Sequence, residues 1–99
     1  MTLRIGRYNF PYVVYDAASD VAYANLGPGS RGDDERIVSN PEGDRWIYDG
    51  AGRFSGLTLI EPAARLGRDG AVWTSLPSGE YSRVGGLDAT IRAADADYQ

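Results

Sequence analysis

The run Tyr48-Asp49-Gly50-Ala51-Gly52-Arg53-Phe54-Ser55-Gly56-Leu57-Thr58-Leu59-Ile60-Glu61-Pro62 leaves a chain few ways to fold. Asp49 can open a type I turn, and Gly52 supplies the left-handed position that turns such a loop into a hairpin with a bulge. A positive φ at Gly52 is expected. Beyond the turn, Leu57 and Leu59 fall on one face of a strand, Thr58 and Ile60 on the other. Both faces carry apolar groups, as in a central strand covered on both sides. At Gly56 the missing side chain marks a bulge or the close approach of another backbone. Pro62 suits the first position of a helix, and Ala63-Ala64-Arg65-Leu66 before Gly67 predicts one short helical turn near 62–66.

Strand signals surround this run. Tyr12-Val13-Val14-Tyr15 and Val21-Ala22-Tyr23-Ala24-Asn25-Leu26 flank Asp16-Ala17-Ala18-Ser19-Asp20, a hairpin in which the Asp16 carboxylate can accept the backbone N–H two residues on. Gly27 to Glu35 holds the densest Gly, Pro and acid and reads as a loop. By letter it fits the dinucleotide fingerprint, but no helix opens after it, and Asp33, Asp34 and Glu35 would repel a pyrophosphate. Arg36 to Ser39 is a short strand, Asn40 to Gly43 a turn, and Ala71 to Leu76 a further strand. Glu80 to Val84 is short and charged, like an edge strand. From Leu87 onward Leu87, Ile91, Ala94 and Tyr98 recur at helical intervals, which predicts a C-terminal helix near 87–97 with that stripe on the sheet and a frayed last turn. The expectation is an α+β fold, mainly antiparallel β: a twisted multi-strand meander of consecutive hairpins in a single domain over 1–99. A domain of that size buries roughly two thirds of the surface its unfolded chain exposes, enough for one core.

Composition removes whole classes of chemistry. The chain has no Cys, no His and no Lys, which excludes thiol catalysis, disulfides, zinc-thiolate sites, the usual catalytic base and Schiff bases. A net charge of -4, with ten scattered arginines as the only bases, argues against nucleic acid and anionic membranes as partners. The first residues lack the apolar core of a signal peptide, and no apolar run approaches membrane-spanning length, so a cytoplasmic protein is expected.

Among the groups that remain, Asp16 and Asp20 flank one turn and could share a proton or hold a hard cation. A metal site needs more oxygens than this spacing supplies, so turn capping is the reading adopted, and no metal or cofactor is expected. Asp16, Asp20, Asp49, Gly52 and Gly56 are taken as structural turn and strand positions. Tyr15, Tyr23, Tyr48 and the aspartates could furnish acid, base and nucleophile, but no constellation selects a reaction and no catalytic residue is assigned. Tyr12, Tyr15, Tyr23, Trp46, Tyr48 and Trp73 instead suggest a core plus one partly exposed sheet face. Tyr23, Trp46 and Tyr48 are the binding residues chosen, because Trp and Tyr are enriched in hot spots. The function expected is a noncatalytic protein-interaction module, a homodimer formed through a sheet face or edge. The alternative is a small-ligand-binding or carboxylate-based hydrolytic protein on the same sheet.

Val14-Tyr15-Asp16, Asp20-Val21-Ala22-Tyr23, Pro41-Glu42-Gly43, the Tyr48–Ile60 run and Arg68-Asp69-Gly70 occur in an order and spacing that resembles the bacterial family called domain of unknown function 2283. The likeness covers about residues 5 to 77. It implies a compact antiparallel sheet with little helix, and an antitoxin-like partner of a small toxin. The chain departs from that family in having Asp44 where His is common, and Glu61-Pro62-Ala63-Ala64 where Asn-Ala-Arg and a bulky residue are common.

Overall fold

The computed structural model describes residues 2–27 and 35–98, without the side chains of 95–98. Asp33 and Asp34 of the acidic loop lie outside the described residues, as do the side chains of Asp95, Asp97 and Tyr98. The described strands are β1 (Leu3–Ile5), β2 (Tyr8–Phe10), β3 (Tyr12–Asp16), β4 (Val21–Asn25), β5 (Arg36–Ser39), β6 (Arg45–Tyr48), β7 (Phe54–Ile60), β8 (Trp73–Ser75) and β9 (Tyr81–Gly85). The helices are α1 (Pro62–Asp69) and α2 (Leu87–Tyr98). The fold is α+β and mainly antiparallel, with a five-stranded sheet ordered β3-β4-β7-β6-β5 and a four-stranded sheet ordered β2-β1-β9-β8.

Consecutive hairpins account for most of the pairing, but the chain is not a single meander. β4 pairs with β7 and β1 with β9, so segments far apart in sequence close each sheet. β7 holds the centre of the larger sheet because its residues are apolar on both faces. Leu57 and Leu59 are fully buried on the inner face, and Thr58 on the outer face is nearly so. Leu57, Leu59, Ala22 and Ala24 meet Leu3, Ile5, Phe10, Val84 and Leu76 in one core, and Leu87 of α2 joins them. Each such Leu, Ile or Phe gains roughly 1.5–3 kcal/mol from leaving water. α2 packs against β3 with Leu87 buried and Ile91 half-buried, as the helical stripe predicts.

The Asp49 turn follows its local chemistry. Gly52 has φ 81°, its N–H donates to Asp49 O at 2.9 Å, and Asp49 N–H donates to Arg53 O at 2.9 Å. Register runs Ile47 opposite Gly56 and then Tyr48 opposite Phe54, so Ser55 is the extra residue of a bulge. That one-residue shift moves Phe54 to the face of Tyr48. There it makes edge contacts with Tyr48 at 6.1 Å, Tyr8 at 5.1 Å and Phe10 at 6.2 Å, bridging the two sheets. Gly56 is needed for space, since a Cβ there would stand 2.8 Å from Ala24 O and 2.6 Å from Asn25 Oδ1.

Two further expectations are corrected. The helical turn near 62–66 is a two-turn helix that continues through Gly67 to Asp69 and stops at Gly70, whose N–H donates to Leu66 O at 2.8 Å. Gly67 is exposed with open space around it, and an exposed helical Gly only weakens a helix. β9 is not an edge strand, because β1 pairs along its other side. That partner is three residues long, too short to carry a period-two signal.

Candidate functional site

The residues chosen from sequence for binding do not share one surface. Tyr23 stands opposite Val14 and Thr58, on the outer face of the five-stranded sheet. Trp46 stands opposite Val38 and Leu57, on the inner face, where it packs on the core and its Nε1–H donates to Ser75 O at 2.8 Å. Tyr48 is also turned inward against Phe54, with the Arg36 guanidinium 4.9 Å above its ring. Of the three, Tyr23 alone belongs to the outer face.

That face carries Tyr12 and Val14 on β3, Tyr23 on β4, Ile47 on β6 and Ile37 on β5, as register and alternation require. Tyr12 is 48% exposed, Val14 63% and Ile37 57%. Asp16 lies at its β3 side and Arg45 on β6, so the face holds one acid and one base on opposite sides of β7.

The structural aspartates divide their work. Asp16 accepts from Ala18 N at 3.1 Å and Ser19 Oγ at 2.8 Å, and the Ser19 hydroxyl holds its carboxyl below the usual value. Asp49 accepts from Ala51 N and Arg53 N, both at 2.9 Å, and the Arg53 N–H lowers its carboxyl in the same way. Asp20 reaches across the fold: it accepts from Tyr15 Oη at 2.9 Å, Ala63 N at 3.0 Å and Ala64 N at 3.1 Å. These last two are free N–H groups in the first turn of α1, whose own N-cap residue, Glu61, makes no side-chain cap. Asp16 therefore accepts within its own turn, while Asp20 accepts from Tyr15 and from α1.

Sequence reasoning missed the polar cluster between the Asn40–Asp44 turn, α1 and β8. Asp44 is fully buried. Its Oδ1 accepts from Arg65 Nη1 at 2.7 Å and Ile60 N at 3.0 Å, and its Oδ2 from Thr74 Oγ1 at 2.7 Å. Asn40 donates to Thr74 Oγ1 at 2.8 Å and Ser75 O at 3.1 Å, while its own Oδ1 accepts from Glu42 N and Asp44 N. Arg65 also donates to Ile60 O and, through Nη2, to Trp73 O, each at 3.0 Å. Glu42 accepts from Ser75 N at 2.5 Å and Ser75 Oγ at 3.0 Å. Among the described residues no buried side-chain polar atom is left without a partner. The local signal was the Asn40 turn, but its partners lie 34 and 35 residues further on.

Above this cluster opens a cleft of about 490 Å³ lined by Glu42, Arg65, Asp69, Trp73 and Tyr81 with the Ala71–Val72 segment. Trp73 and Tyr81 stack at 5.4 Å with planes 23° apart, and both are exposed. Among the described residues no helix is long and apolar enough to cross a membrane. No family model, no curated protein and no solved structure matches this chain.

Proposed function

We propose that this protein is a noncatalytic interaction module that pairs with a second copy of itself through the outer face of β3-β4-β7-β6-β5. The observation that carries this reading is the exposed apolar set Tyr12, Val14 and Ile37, joined by Tyr23 and Ile47 on one side of a sheet whose other side is the core. Large apolar side chains exposed together on one sheet face mark interaction sites, and tyrosine anchors them well. A two-fold axis brings the same patch to itself, so a face with Asp16 on one side and Arg45 on the other meets opposite charge in its copy. A small toxin presenting a complementary apolar surface would use these same residues in a mixed complex.

Light scattering across a dilution series tests the reading. The wild-type chain is expected to run as a dimer that dissociates on dilution, and Val14→Glu with Ile37→Glu to run as a monomer with the thermal midpoint of the diluted wild-type chain. A wild-type chain that is monomeric at every concentration, alone and with a candidate partner, overturns it.

A further inference from the structure

We propose that the cleft between α1, β8 and the Asn40–Asp44 turn binds a neutral carbohydrate, with one sugar ring laid on the Trp73–Tyr81 wall. The proposal is independent of the sheet-face reading and shares no residue with it. Its volume of about 490 Å³ falls inside the range of small-molecule sites. The two rings stack on each other, which holds both in place, and both stay exposed, so an aromatic face is ready for a ligand at little cost in conformational freedom.

The charges decide the ligand class. Glu42 and Asp69 would oppose an anion. Arg65 in the lining, and Arg83 directly opposite Trp73 across the β8–β9 pair, would oppose a cation. Two of these four ions already have counter-charges, with Arg65 on Asp44 at 2.7 Å and Arg68 on Asp69 at 3.2 Å. They are fixed dipoles and acceptors more than unmet charges. A ligand hydroxyl both donates and accepts, whereas a carboxylate only accepts and a guanidinium only donates. Glu42 is held by two bonds from Ser75, which leaves lone pairs on both its oxygens. Three of the five Arg65 N–H groups are used, and Nε–H and one Nη2–H have no acceptor among the described residues. A sugar hydroxyl set between Glu42 and Arg65 satisfies both, and the apolar C–H face of the same ring covers the aromatic wall.

Titration of the ¹⁵N-labelled chain with maltotriose, cellotriose and triacetylchitotriose, each separately, tests this by the two indole N–H signals. The Trp73 signal is expected to shift with at least one of them, with a dissociation constant on the order of 1 mM or tighter, while the signal of Trp46, half-buried on the inner face of the other sheet, moves less. Tyr81→Ala, which alters an exposed ring, should abolish the shift at an unchanged thermal midpoint. Glu42→Gln should weaken binding about tenfold. No movement of Trp73 with any of the three overturns the proposal, as does full binding by Tyr81→Ala. A shift with N-acetylarginine amide and none with the sugars overturns the ligand class.

Discussion

Asp44 is a carboxylate with no solvent contact whose nearest charge, the Arg65 guanidinium, keeps only 16% of its side-chain surface exposed. Removing one member of such a pair strands the other, at a typical cost of 3–5 kcal/mol. Asp44→Ala is therefore expected to lower unfolding free energy by about 3 kcal/mol in urea titration, and Asp44→Ala with Arg65→Met by clearly less than the sum of the single changes. Two glycines of one hairpin should differ in the reason they resist substitution. Gly52→Ala strains a positive φ and should cost about 1 kcal/mol. Gly56→Ala pushes a methyl against Ala24 O and should cost about 2 kcal/mol, with weakened amide protection along β4. Asp16 and Asp49 carry a pH dependence whose sign follows from their turn hydrogen bonds. Their folded carboxyls sit below the unfolded value near 3.8, so their contribution is complete above about pH 4 and is lost as pH falls through the lower folded value. Asp16→Asn with Asp49→Asn should flatten the fall of the urea midpoint with acid below that point, and an unchanged slope would count against the turn bonds.

Helix α1 shows how an element can depend on a residue outside its own neighbourhood. Its first free N–H groups are met by Asp20, from the turn between β3 and β4. Asp20 itself sits at φ 53°, a conformation Asp tolerates better than most residues. Asp20→Ala removes the cap and strains the turn, so a loss of about 1–2 kcal/mol is expected, with faster amide exchange at Ala63 and Ala64. Protection unchanged at those two amides would refute the capping role. The contrast also explains what the sequence could reveal. The Asp16 and Asp49 turns, the φ of Gly52 and the crowding at Gly56 were legible because each is decided within a few residues or by the absence of a side chain. The Asp20 cap spans 43 residues and the Asp44 bonds 16 to 30, and no local pattern encodes them. Tyr23, Trp46 and Tyr48 could not be assigned to faces from composition, because Trp46 and Tyr48 have the same aromatic character as the outward Tyr23 and only register separates them. The Trp73–Tyr81 wall needed β8 and β9 to be paired first.

At the scale of the whole molecule, the two sheets share one core, with Phe54 between them. Each sheet carries one Trp: Trp46 reports the larger and Trp73 the smaller. Single-Trp variants Trp46→Phe and Trp73→Phe should therefore unfold at coincident denaturant midpoints once each is corrected for its own stability change. Separate, probe-dependent transitions would show the sheets to be independent.

The pairing of β1 with β9 also sets a schedule for the chain as it is made. Leu3, Ile5 and Phe10 are translated roughly seventy residues before the strand that flanks β1, Tyr81–Gly85. At ordinary elongation rates the interval is on the order of ten seconds. Throughout it the β1–β2 hairpin offers a bare strand edge and uncovered apolar side chains to whatever is nearby. Until β9 is made, the apolar side chains of β1 and β2 have no second sheet strand to close over them.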